Sequence, residues 1–159
     1  MNKNTRIVGG SIFESESNCL VNPVNCVGIM GAGLAREFKA RYPEMYKSYL
    51  VNSKASKLKL GEINLYNGYY DIDSEKYIIN FPTKFHYREK SSILSIRKGM
   101  DSFVEFINKY ADQFRIHSVA IPKIGCGLGG LDSDQVLKEI THSLDHVESH
   151  KISFDLYWK

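Results

Sequence analysis

Two short glycine-rich stretches, GIMGAG at 28–33 and IGCGLGG at 124–130, constrain this chain more than any other feature. Each follows an apolar run with strand character and precedes residues spaced for a helix. Glycine lets the main chain turn sharply and approach a ligand closely, and successive N–H groups in such a turn form a nest for phosphate oxygens. The positive end of the following helix strengthens that nest. One loop of this kind is a weak signal. Two in one chain predict a clamp on a ligand that carries two phosphates.

Two strand-to-helix turns require a sheet with helices around it, and the remaining residues supply both. Residues 5–9 read as a short strand, and 18–25 (NCLVNPVN) as a buried strand closed by a turn at Asn22-Pro23. Leu34, Phe38 and Tyr42 fall at helical spacing before Pro43 stops or restarts the helix, and a second helix is expected over 44–52. Strands at 61–66 and 76–81 flank a polar turn at 71–74. From Ile93 onward, Ile96, Met100, Phe103 or Val104, Ile107 and Tyr110 recur at helical steps, with Ser91 or Ser92 as N-cap.

A buried strand at 117–121 leads into the second glycine loop. Asp132 and Gln135 form a capping box for a helix whose apolar face is Val136, Ile140, Leu144 and Val147. Strand alternation returns at 152–158. The pattern predicts an α/β sandwich with a largely parallel sheet, both glycine loops lying beyond the carboxyl ends of strands.

A chain of 159 residues is expected to form one domain, 1–159, with a core that needs neither disulfide nor metal. Three cysteines without C-x-x-C spacing point to a reducing, cytoplasmic setting. The sequence has no apolar run of membrane-spanning length and no signal-peptide core at its start, so no membrane partner is expected, and a monomer is. The net charge of +3 does not by itself demand nucleic acid. The basic residues nonetheless cluster, at Lys84, His86, Arg88, Lys90, Arg97 and Lys98. Such a patch is ordinarily a solvated face, and it can also steer a phosphate-bearing substrate.

Neither loop fits the commonest phosphate motifs. A P-loop ends in Lys followed by Ser or Thr, and neither loop does. The dinucleotide fingerprint needs a third glycine where Gly31-Ala32-Gly33-Leu34-Ala35 is followed by Arg36.

The residues do resemble another family, the macro domain, which binds ADP-ribose. The resemblance runs through essentially the whole chain, in order: Leu20-Val21-Asn22-Pro23-Val24-Asn25, then 28–33, then Ala120-Ile121-Pro122 leading into Gly125-Cys126-Gly127. Within the family the chain is most similar to the branch holding the DarG antitoxins and the terminal ADP-ribose protein glycohydrolases. The mark of that branch is FPTKFHYR at 81–88, followed by Lys90-Ser91, Ile93, Ile96 and Gly99-Met100. The resemblance implies a three-layer α/β/α sandwich with a mixed, largely parallel sheet, and ADP-ribose as ligand with no metal or other cofactor.

Residue by residue, the resemblance implies that Asn25 contacts the distal ribose. The two loops, Gly31 to Leu34 with Asn22 before them and Ile124 to Gly129 (Cys126, Gly127 and Leu128 included), wrap the diphosphate and that ribose. Pro82, Thr83 and His86 join the ligand site. Lys84 matches the catalytic lysine of the branch, and Tyr87, Arg88 and Lys90 beside it are expected to contact the acceptor. Ser11 and Ile12 match the G-D-[IL] motif that holds the adenine, with serine in place of aspartate. Losing that charge-assisted hydrogen bond is expected to weaken adenine selection by about 1–2 kcal/mol. At the position where the human-type enzymes carry a helping aspartate stands Gly129, as in DarG-like proteins. Asp132 nearby reads as a helix cap.

The implied activity is removal of ADP-ribose from a modified acceptor, with ADP-ribosylated thymidine in single-stranded DNA favoured by the P-T-K block, Gly129 and the basic segment 84–98. Lys84 can serve as nucleophile or as acid/base group, and a nucleophile must be neutral. Burial and neighbouring cations, with His86, Arg88 and Lys90 as candidates, would lower its pKa toward that state. The alternatives are a non-catalytic ADP-ribose-binding module, an ADP-ribose 1″-phosphate phosphatase, and a hydrolase of ADP-ribosyl esters on protein. His142, His146 and His150 recur every fourth residue and read as solvated side chains rather than metal ligands, and Cys126 as packing rather than a nucleophile.

Overall fold

Alternating side chains along the second strand divide the protein into two cores. Cys19 and Val21 face one side of the sheet and Leu20 and Val24 the other, all of them buried, as period-two geometry requires of a strand covered on both faces. The structure, a computed structural model, describes residues 1–70 and 75–159; the polar turn expected at 71–74 lies outside them. Among the described residues its sheet has six strands: β1 (Thr5–Val8), β2 (Cys19–Val24), β3 (Asn64–Asn67), β4 (Tyr77–Pro82), β5 (Ser118–Ile121) and β6 (Ser153–Tyr157). Their order is β1-β6-β5-β2-β4-β3, parallel throughout except for β3, which runs antiparallel to β4. The mixed sheet between helical layers is the expected sandwich.

Helices α3 (Ile93–Phe114) and α4 (Ser133–Leu144) cover one face, and α1 (Gly33–Arg41) and α2 (Pro43–Lys54) the other. The α3 stripe of Ile96, Met100, Phe103, Val104, Ile107 and Ala111 packs on Val21, Ile79, Phe81 and Val119. Ser92 caps this helix, accepting from Ser95 N. Tyr110, placed on that stripe by spacing, is instead 37% exposed, with its ring against Phe106 and Phe114. Pro43 restarts the chain as α2, where its missing N–H costs nothing. Asp132 caps α4 by accepting from Gln135 N. Val147 is buried but lies past the end of α4 at Leu144.

One expected turn is not a turn. β2 continues through Asn22 and Pro23 to Val24. Thr83 N donates to Val24 O, so Val24 faces β4. By alternation the missing N–H of Pro23 faces β5, where the pairing of β2 has already ended at Leu20. A proline fits where there is no ladder to break.

Candidate active site

β2 and β5 lie side by side and point the same way, but the chain leaves them toward opposite faces: β2 leads to α1 and α2, β5 to α4. Adjacent parallel strands with diverging continuations leave a crevice beyond their carboxyl ends. Pairing between them is limited to Cys19 with Val119 and Leu20 with Ala120, so the ends are free to part. A cleft of about 960 Å³ opens there, large enough for a nucleotide-sized ligand, with both glycine loops in its walls.

The first loop is folded by Asn25. Its Oδ1 accepts from Val27 N (3.1 Å) and Ile29 N (3.4 Å), and its Nδ2 donates to Ile29 O (2.7 Å). The Tyr49 hydroxyl, whose pKa burial pushes up, meets Asn25 Oδ1 at 2.8 Å from beneath. The second loop folds on its own main chain: Leu131 N donates to Gly125 O (2.9 Å) and Gly130 N to Gly127 O (3.1 Å).

Residues 84–91, leaving β4, strap the two loops together. Cys26 N donates to Phe85 O (2.8 Å) at one end, and Ser91 N donates to Gly129 O (3.0 Å) at the other. Between them Glu89 N donates to His86 O (3.0 Å), His86 N to Glu89 Oε1 (3.2 Å) and Arg88 N to His86 Nδ1 (3.1 Å). The His86 ring stacks on Tyr87 with centroids 4.3 Å apart, and the Arg88 guanidinium lies 5.5 Å from the Tyr87 centroid.

Lys84 stands at the base of this strap and lines the cleft, half-buried. Burial holds its amine below the ordinary lysine range, the Lys90 charge adds to that shift, and Glu89 opposes it. Of the three cations named from sequence, Lys90 is the one that acts on it. No carboxylate pairs with Lys84 among the described residues. The far part of the cleft has a different electrostatic setting. There burial pushes the Cys126 thiol up, with Lys123 opposing and Asp132 adding, which leaves the thiol a poor nucleophile.

Of the residues singled out from sequence, the cleft brings together Asn25, residues 31–34, Thr83, Lys84, Tyr87 and residues 125–129. Asn22 lies below it, fully buried, donating to Asn80 Oδ1 (3.1 Å). Pro82 and Ile124 are buried behind the lining. His86, Arg88 and Lys90 sit along the strap outside the lining, the last two exposed. Ser11 is not in the cleft wall. Its hydroxyl caps a short 3-10 helix, Ile12–Glu14, by accepting from Phe13 N (3.2 Å), and Ile12 is buried against Phe38 and its neighbours.

Pro23, Ile29, Lys123, Leu131, Asp132 and Ser133 also line the cleft, although the sequence did not mark them as ligand contacts. Asp132 and Ser133 do so because α4 starts directly after the second loop, so a capping residue also faces the cavity. Among the described residues no three His, Cys, Asp or Glu side chains form a metal-binding group, and no helix is long and apolar enough to cross a membrane.

The geometry has counterparts. The family model described as "Macro domain" matches residues 21–140. A Mycobacterium tuberculosis protein named DNA ADP-ribosyl glycohydrolase is 36% identical over 138 residues, which are 87% of this chain and 38% of that protein. The chain thus spans well under half the length of that relative. The solved macrodomain of Mycobacterium tuberculosis DarG superposes with a TM-score of 0.85 at 34% identity, covering 97% of this chain and 98% of that one. Thermosipho africanus DarTG in complex with ADP-ribose superposes with a TM-score of 0.86 at 31% identity, over 98% of this chain and 41% of that one.

Proposed function

The chain belongs to the macro domain family, and from that premise we propose that it is an ADP-ribosyl glycohydrolase acting on nucleic acid. It seats ADP-ribose between the two glycine loops and frees it from ADP-ribosylated thymidine in single-stranded DNA, using Lys84. The observation that carries this reading is the half-buried Lys84 amine, depressed in pKa and facing a cleft walled by both loops. The activity for which the Mycobacterium tuberculosis relative is named and the ligand in the Thermosipho africanus structure support it.

Hydrolysis breaks the bond between the anomeric carbon of the distal ribose and the acceptor. The bonding pair leaves with the acceptor, which takes up a proton, and water supplies the hydroxyl to the sugar. The N–H groups of both loops hold the diphosphate and fix the anomeric carbon beside Lys84, so that attack or proton transfer occurs within one complex. As nucleophile the amine bonds to the anomeric carbon and water later displaces it; as acid/base group it moves the proton. Tyr87, Arg88 and Lys90 contact the acceptor. The reading assigns the chemistry to protein groups, without metal or cofactor, in a cytoplasmic monomer.

Lys84→Ala is expected to lower kcat by about 10²–10⁴-fold. ADP-ribose affinity measured by calorimetry should stay within a few-fold, and Lys84→Arg, which keeps the charge but not a usable amine, should not restore turnover. Full activity in Lys84→Ala would refute the assignment. The depressed pKa also sets the sign of the pH profile. If the neutral amine reacts, kcat rises with pH through a midpoint below the ordinary lysine value of 10.5 and levels off above that midpoint. A flat profile, or one falling over the same range, would exclude the nucleophilic route.

A further inference from the structure

Outside the cleft, on the strap that carries Lys84, stands a large exposed aromatic side chain to which the proposed reaction gives no role. Phe85 is 53% exposed. A single exposed apolar residue is ordinary, but this one is not isolated. Tyr87 two residues on is 39% exposed, Ile29 of the first loop 42% and Leu128 of the second 65%, and these three line the cleft whose strap carries Phe85. The strap is also held stiff. Phe85 O is fixed to Cys26 N, and the bonds among His86, Arg88 and Glu89 brace the next turn, so the Phe85 backbone is already ordered before anything binds.

Charge decides what fits against it. Along 84–90 the order is Lys, Phe, His, Tyr, Arg, Glu, Lys: three consecutive aromatic rings flanked by Lys84 and Arg88, then one acid and a third cation. A strand that offers flat bases and a phosphate on every nucleotide matches rings set among cations, because bases stack on rings and on guanidinium while phosphates meet the cations. Tyr87 lines the cleft and Phe85 does not. The two rings therefore serve different positions of a strand.

We propose that Phe85 is the platform of a second subsite, one that stacks the base of the nucleotide next to the modified one, with Arg88 and Lys90 on the connecting phosphates. This rests on the proposed activity and adds to it that the enzyme reads a stretch of single strand rather than a lone nucleoside.

The test compares three substrates: ADP-ribosylated thymidine as the free nucleoside, within a single-stranded pentanucleotide, and within the same pentanucleotide with abasic neighbours. Wild type should show kcat/KM about 5- to 100-fold higher on the pentanucleotide, mainly through KM. The abasic neighbours should remove the gain. Phe85→Ala should also remove it while leaving the nucleoside rate unchanged, and Phe85→Trp should keep it.

Equal kcat/KM on nucleoside and pentanucleotide in the wild type would overturn the subsite and leave the glycohydrolase reading standing. So would an equal loss on both substrates in Phe85→Ala, which marks a structural role. No turnover of any of the three, with release from ADP-ribosylated protein instead, would overturn both.

Discussion

The first glycine loop is folded by a side chain and the second by its own backbone, although both wall the same cleft. In the first, Asn25 supplies the acceptor for Val27 N and Ile29 N and the donor for Ile29 O. Its two cleft-lining glycines have room: nothing comes within 4 Å of a methyl placed on Gly33, and only Ile29 Cγ2, at 3.4 Å, approaches one on Gly31, while a methyl on Gly28, outside the lining, would be close to Ser53 Oγ at 3.0 Å. In the second, the chain closes on itself from Leu131 N to Gly125 O and is pinned to the strap from Ser91 N to Gly129 O. A methyl on Gly129 would sit 2.5 Å from Gly125 O and 2.5 Å from Ser91 Oγ. A loop organised by one side chain can loosen without the protein unfolding; a loop packed backbone on backbone yields only if its supports move as well. The contrast predicts that the first wall adapts to a ligand more readily than the second.

The sharpest way to break that contrast is Gly129→Ala. The new methyl meets a carbonyl oxygen that belongs to the loop's own closure, so it cannot be relieved by a rotamer change. The variant should lose about 2–3 kcal/mol of stability in urea unfolding. It should lose ADP-ribose binding together with that stability, because the N–H groups proposed to meet the phosphates are the ones displaced. A wild-type midpoint would mean the second loop is as pliable as the first.

Asn25→Ala attacks the other wall and should separate the two readouts. Three hydrogen bonds to the first loop disappear, yet the Tyr49 hydroxyl keeps Asn25 O at 2.9 Å and stays partnered. The stability loss should be near 1–2 kcal/mol. ADP-ribose affinity should fall by more than that figure converts to, since the ligand must now order the loop as it binds. If stability and affinity fell in step, as expected for Gly129→Ala, the distinction between the walls would be gone.

How much of this is legible in the sequence depends on how local each cause is. The strand-loop-helix order at both glycine stretches and the α3 stripe are local patterns, and the fold places them as read except for Tyr110 at the end of the stripe. Pro23 misled because its cost depends on whether β5 still pairs beside it, and β5 lies nearly a hundred residues away. The strap was invisible for the same reason: its anchors join Phe85 to Cys26 and Ser91 to Gly129 through main-chain atoms that carry no residue signature. That Lys84 faces the cleft is legible, while the source of its depressed pKa is only partly so. Burial leads, and of the nearby cations only Lys90 contributes. Ser11 is the instructive case. Its hydroxyl caps the Ile12–Glu14 turn, a local role that the resemblance to the G-D-[IL] motif does not announce.

The smallest expected effect tests whether the rigidity of the second loop lies in particular contacts or in its glycine content. Gly127 shares the loop with Gly129, lines the cleft, and has a backbone without positive φ. A methyl there meets nothing within 4 Å. Gly127→Ala should therefore change stability by no more than about 0.5 kcal/mol. Any effect should appear only in ADP-ribose binding, where the methyl would project toward the ligand. Were Gly127→Ala to destabilise the fold as much as Gly129→Ala, the loop would need flexible residues throughout, and the close approach at Gly129 to Gly125 O and Ser91 Oγ would lose its standing as the cause.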